Sequence, residues 1–145
     1  MRTSGVWAYG VVNLVHILGV ATLLGGVLIF DLRLLGLWRR VPLAMLERPA
    51  VSLGVCGFVV AASSGICLVT TNATEYLGNP FVPIKFTAIG LGLANVLGVQ
   101  TVSAWRMRHL DPLPRRARLV LAAAGGVSLV CWLAAAAAGR MIGYW

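Results

Sequence analysis

The sequence predicts an all-α protein, a four-transmembrane-helix bundle, and three observations carry that reading. Of 145 residues, 59% are apolar and 11% are charged, with a mean hydropathy of +0.89; a soluble domain carries about 25% charged residues. Four apolar stretches each approach the length of about 20 residues that crosses hydrocarbon as a helix. The links between them are short and hold most of the charge, so one membrane domain over residues 1–145 is expected.

The first helix is read over about residues 7–30, ended by the charge and proline of "DLRLLGLWRRVP". "MRTSG" is too short for a signal-peptide leader, so this first apolar segment is read as a retained helix. The second helix is placed at about 50–71, with Pro49 in its first turn, where the missing N–H costs nothing. After "NATEYLGNPFVP", which carries a bare NAT sequon, the third helix is placed at about 84–105. "RMRHLDPLPRRAR" then breaks the chain, and the fourth helix is placed at about 119–139.

Arginine placement predicts orientation, because positive residues stay in cytoplasmic loops. Arg33, Arg39, Arg40 and Arg48 follow helix one; Arg106, Arg108, Arg115, Arg116 and Arg118 follow helix three. Only Arg2, Lys85 and Arg140, the remaining three of twelve, fall at the other side, which places both termini outside. Trp7, Tyr9, Tyr76, Phe81, Tyr144 and Trp145 then make an outer aromatic belt, and Trp38 and Trp105 an inner one. The net charge of +8 flanks apolar segments and forms no separate patch, so the expected partner is membrane lipid and not nucleic acid. Cys56, Cys67 and Cys131 fall inside spans without a CxxC spacing and read as small apolar filler.

Small residues recur in every span: Gly19, Gly25 and Gly26; Gly54, Gly57, Ser63, Ser64 and Gly65; Gly90, Gly92, Ala94 and Gly98; Gly125, Gly126 and Ser128. Such residues let membrane helices approach closely, and they equally make room for a flat ligand.

The informative residues are the polar ones, because an ionisable group inside a span marks a functional site by default. His16 lies about 13 Å below the outer end of helix one, and Asn95 about 17 Å into helix three, so the two can face each other. Lys85 and Arg140 lie near the outer boundary. Haem b needs an axial nitrogen in an apolar slot and cations for its propionates. His16 supplies the first as metal ligand, and Lys85 and Arg140 the second. Gly19, one turn below His16, admits the macrocycle, and Asn13, one turn above, orients the imidazole or bonds a propionate. The competing reading has His16 hydrogen-bonded to a neighbouring helix, with Asn95 as partner, and Lys85 and Arg140 snorkelling to headgroups. His109 lies in the basic loop, too deep to pair with His16. The iron is then five-coordinate or bound by a non-histidine ligand, or two copies of His16 bracket one haem across a homodimer axis.

No nucleophile–base pair is present. Asp31, Glu47, Glu75 and Asp111 all read as lying at or beyond membrane edges, which excludes a carboxylate relay across the bilayer.

"NLVHILGVATLLGGVLIFDLRLLG", "NPFVPIKFTAIGLGLANVLG" and "AGRMIGYW" resemble, in order and spacing, three motifs of a family of small bacterial membrane proteins without assigned function. That resemblance implies a multi-pass protein of the bacterial inner membrane. More distantly, the pattern is similar to CopD and HemJ membrane proteins, with His16 and Lys85 on their first-helix histidine and third-helix lysine. HemJ-like proteins imply b-type haem and protoporphyrinogen oxidation, but Asn95 stands near where they place another histidine, and Gln100 where some closer relatives do. The expected function is therefore b-haem electron transfer near the outer face, as partner to a larger redox complex. The alternatives are a non-catalytic accessory subunit and, third, a HemJ-like oxidase.

Overall fold

The computed structural model describes residues 3–71, 78–110 and 112–144. Arg2, the NAT sequon, Glu75, Tyr76, Asp111 and Trp145 lie outside the described residues. The chain forms α1 (Thr3–Leu35), α2 (Leu43–Thr71), α3 (Phe81–Thr101), the single turn α4 (Ser103–Arg106) and α5 (Arg115–Ile142), with no strand among the described residues. α1, α2, α3 and α5 are each long and apolar enough to cross a membrane. Only 11% of the most apolar window of α3 and 33% of that of α5 is buried in protein. The outward-facing leucines and valines therefore meet lipid, and the chain is a multi-pass membrane protein.

The helix boundaries differ from expectation where local chemistry overrides charge. α1 does not stop at Phe30; it continues through Asp31 and Arg33 to Leu35. Gly36, at φ +109°, ends it. The Gly36 N–H bonds the Arg33 carbonyl at 3.1 Å and the Leu37 N–H bonds the Leu32 carbonyl at 3.0 Å, the Schellman pattern that satisfies the last carbonyls. Arg33 then holds the link by donating from Nε to the Val41 carbonyl at 2.9 Å. α2 starts at Leu43, directly after Pro42, so Pro49 is inside the helix and not in its first turn. At the other junction, Val102 is extended (ψ 148°) and separates α3 from α4. The expected continuous helix to Trp105 is thus broken, and α4 tucks Ala104 into a packed cluster with Leu34, Leu43, Ala117 and Leu121.

The spatial order of the long helices is α2, α1, α5, α3. α1 packs along α2, α3 along α5, and the two hairpins meet through α1 and α5, while no packed seam joins α2 to α3. The α1–α2 seam is made by missing side chains. A Cβ on Gly26 would lie 2.5 Å from the Ala50 carbonyl oxygen, and one on Gly19 would lie 2.7 Å from the Ala61 nitrogen. Contact this close between backbones is how membrane helices gain packing energy without a hydrophobic driving force.

The second hairpin is held by polar anchors. The Asn79 side chain accepts from the Phe81 N–H at 3.0 Å and donates to the Ile142 carbonyl at 3.4 Å, tying the start of α3 to the end of α5. Asn95 Nδ2 donates to the Ala124 carbonyl at 2.9 Å. Below, the basic end is closed between α2 and the segment after α4. There Arg108 grips both oxygens of Glu47 at 3.0–3.1 Å and stacks on Trp105, 4.3 Å from the ring centre.

Of the expected aromatic belts, Trp7, Tyr9, Tyr144 and Trp38 are exposed. Trp105 is not a belt residue; it turns inward, edge-on to Phe30 at 6.2 Å. All three cysteines are free thiols; Cys131 is buried, and Cys56 and Cys67 face outward.

Candidate functional site

Residues of all four long helices line two cavities, one in each half of the bundle. Leu23, Phe58 and Trp132 wall both. Phe58 and Trp132 meet edge-on at 5.9 Å and form the partition. The cavity nearer the chain termini measures 410 Å³, the one nearer the basic links 590 Å³. Both fall in the range of about 300–1,000 Å³ typical of small-molecule sites.

The terminal cavity is built around His16. The ring turns from α1 toward α2, where Gly65 leaves space for it: a Cβ there would lie 3.1 Å from His16 Cε1. Nδ1 is 2.8 Å from the Ala61 carbonyl oxygen and 3.1 Å from Ser64 Oγ. A carbonyl only accepts, so Nδ1 carries the proton, and in the neutral ring Nε2 keeps its lone pair. Ser64 is itself fixed, donating to the Val60 carbonyl at 2.5 Å. Lys85 reaches the same cavity from α3, its stem packed 3.6–3.7 Å from a Cβ position on Gly139 of α5. Among the described residues Lys85 has neither a hydrogen bond nor an ion pair. The remaining walls are almost wholly apolar, including Val20, Ala62, Ile66, Phe86 and Ala135.

Of the residues singled out in the sequence, the structure unites His16 and Lys85 and separates the rest. Asn13 is exposed and lines neither cavity. Gly19 is covered by the backbone of Ala61, so its missing side chain serves helix packing and gives no macrocycle access to α1. Asn95 does not face His16; it is bonded to α5 and lines the other cavity. Arg140 is exposed and turned to Tyr144, whose hydroxyl it bonds at 2.5 Å. His109 is exposed in the basic segment, 3.5 Å from Glu47. His16 does bond a neighbouring helix, but that helix is α2.

Several site residues had no clear signal in the sequence. Ala61 contributes a backbone carbonyl, and Gly65 contributes an absence. Phe58 and Trp132 lie within uniformly apolar runs that do not single them out. Asp31 is the largest revision: the extension of α1 carries it inside the bundle, 5% exposed. It lines the basic-half cavity together with Asn95 and Ser128. No group of three or more histidine, cysteine or acidic residues able to hold a bare metal ion occurs among the described residues.

The fold and these cavities define a class: a small helical membrane protein with an interior able to take an apolar ligand. Within that class, residues 2–145 match the model of a family of unknown function, DUF6644, and the chain belongs to that family. No curated protein matches, and no solved structure matches. Nothing in these comparisons links the chain to CopD or HemJ proteins.

Proposed function

We propose that this protein holds haem b in the terminal cavity and carries electrons near the outer face of a bacterial inner membrane, to which the arginine distribution assigns the terminal end. One observation carries the reading. His16 is locked through Nδ1 to the Ala61 carbonyl, which leaves Nε2 its lone pair, and it shares an apolar cavity with Lys85, an ammonium without an ion pair among the described residues. A backbone carbonyl on the far nitrogen is the usual support of a metal-bound histidine, fixing the tautomer and raising its basicity. Lys85 suits a propionate, because a charge-assisted bond is strongest away from water.

When bound, haem supplies a one-electron iron couple. His16 would hold the iron, Lys85 would meet a propionate, and the apolar wall would pack the ring. Among the described residues, no cysteine, methionine or second histidine lines the cavity, so His16 is the residue of those types that would hold the iron. Any further protein ligand of those types would come from outside the described cavity wall, for instance from a second copy of the chain. The HemJ-like oxidase reading gains no support, because Asn95 lies in the other cavity.

The test is the absorption spectrum of the detergent-extracted protein before and after dithionite. A Soret band is expected, and His16→Ala removes it while the protein still elutes as a folded species. A colourless wild-type protein expressed with ample haem overturns the reading.

The accessory-subunit alternative has its own support. Gly90, Ala94 and Gly98 recur one turn apart on α3, all exposed, and no atom lies within 4 Å of a Cβ on either glycine. Such a surface suits a neighbouring helix. A colourless protein that co-purifies with a membrane complex, and loses it on Gly98→Leu, favours this alternative.

A further inference from the structure

The basic-half cavity has an apolar body and a charged end. Toward the middle of the bundle it is walled by Val55 and Phe58 of α2 and by Leu93 of α3. Arg48 lines it from early in α2, Gln100 from the end of α3, and Arg108 from the segment after α4. Arg108 is committed to Glu47, and Asp31, the other carboxyl of the lining, is 5% exposed. Arg48 is exposed and has neither a hydrogen bond nor an ion pair among the described residues. It is the exposed charge of the lining that the fold leaves uncommitted. The cavity also has a side facing lipid. Val51, Val55, Leu93 and Val96 all line it and are all exposed, and no packed seam joins α2 to α3. A ligand therefore reaches it from the bilayer, between those two helices.

We propose that this cavity is a binding site for an anionic phospholipid of the adjoining leaflet, with one acyl chain lying between α2 and α3 and the phosphate meeting Arg48. Charge complementarity selects the head. A guanidinium matches a phosphate, which accepts two parallel N–H bonds. Nine of the twelve Lys and Arg residues belong to this end of the chain, and basic residues beside a membrane span attract anionic lipid. A zwitterionic lipid brings its own cation into those surroundings. The apolar body selects the tail. A free phosphate leaves that body unfilled, and a plain hydrocarbon leaves Arg48 unanswered. Between head and tail, the Gln100 amide is a donor suited to an ester oxygen. The site is separate from the His16 cavity, across the Phe58–Trp132 partition, and does not depend on haem.

The full chain in phosphatidylcholine nanodiscs is photolabelled with phosphatidylglycerol carrying a diazirine in one acyl chain, and the adducts are mapped by peptide mass spectrometry. Adducts are expected on α2 between Val51 and Phe58 and on α3 between Leu93 and Val96. Unlabelled phosphatidylglycerol should compete; added phosphatidylcholine and inorganic phosphate should not. Arg48→Gln removes a charge with no partner in the fold and should cut these adducts about 5-fold, the worth of one basic residue at an anionic membrane surface. Arg116→Gln, at an exposed arginine outside the cavity, should leave them unchanged. Val96→Trp should also reduce them, by filling the body while Arg48 stays. The proposal is overturned by equal labelling from a phosphatidylcholine probe with the same chain, or by inorganic phosphate competing as well as the lipid. Adducts spread evenly over lipid-facing residues or gathered in the His16 cavity overturn it too, as does an equal effect of Arg48→Gln and Arg116→Gln. The Soret band has no part in this test, so a colourless protein that passes it removes the haem reading alone, and a red protein that fails it removes the lipid site alone.

Discussion

The two cavities share three wall residues and the same four helices, yet they treat polar groups in opposite ways. In the terminal half, an imidazole tied down at one nitrogen shares a cavity with an ammonium, and among the described residues neither its other nitrogen nor the ammonium has a partner. In the basic half, a carboxyl oxygen and an indole N–H are buried with no hydrogen-bond partner among the described residues. The first arrangement keeps two polar groups at a cavity wall; the second holds two polar atoms out of reach of solvent. The difference teaches that in a membrane bundle the total of polar residues says little. What distinguishes one site from another is which atom of each group is left over once the helices have taken their share.

The comparison can be broken most severely at the seam that positions both cavities. Gly26→Val drives side-chain carbon into the Ala50 carbonyl and the backbone of Gly54. Overpacking costs about 1–3 kcal/mol, and rigid backbone on the far side puts this case at the upper end, read as a lower thermal midpoint in detergent with the Soret band reduced. A cut confined to the terminal half is Lys85→Met, which keeps the stem against Gly139. Haem affinity should fall about 10- to 100-fold, the value of a bond to a charged group, while the thermal midpoint of the haem-free protein stays unchanged. A cut confined to the basic half is Glu47→Gln. It removes the charge gripped by Arg108, costs about 1 kcal/mol of stability and leaves the Soret band in place. The smallest effect belongs to Ser64→Ala. His16 keeps its bond to Ala61, and the loss is about 0.6 kcal/mol, the mean for a polar contact between membrane helices; a double-mutant cycle with His16→Phe measures it.

Much of the fold was legible because hydrocarbon imposes a length that hydropathy reveals directly. Four runs of apolar residues could hardly become anything else, and the arginine-rich links separate them cleanly. The ends were less legible because charge was given more weight than cap chemistry. Gly36 followed by Leu37 is the signature of a helix terminus, and reading it would have carried α1 past Asp31. That one misplacement removed the basic-half cavity from view. Within the candidate site, His16 and Lys85 were visible because each interrupts an apolar run. Ala61, Gly65, Phe58 and Trp132 were not. A helix apolar on all sides shows no periodicity to mark its inward face, so its rotation, and with it the pairing of His16 to Ala61 rather than Asn95, emerges only from packing.

The division into two hairpins also bears on how the protein is made. α1 and α2 find each other through their own glycine seam and need nothing that follows in the chain. α3 is the shortest of the four spans, the least apolar at a hydropathy of 1.6, and the least covered by protein. Its two polar anchors, Asn79 and Asn95, both reach for carbonyls on α5. During synthesis the side-chain N–H groups of Asn79 and Asn95 therefore lack their α5 carbonyls until the last helix leaves the ribosome, and truncation before α5 should leave the first hairpin inserted and the third span exposed to quality-control proteolysis.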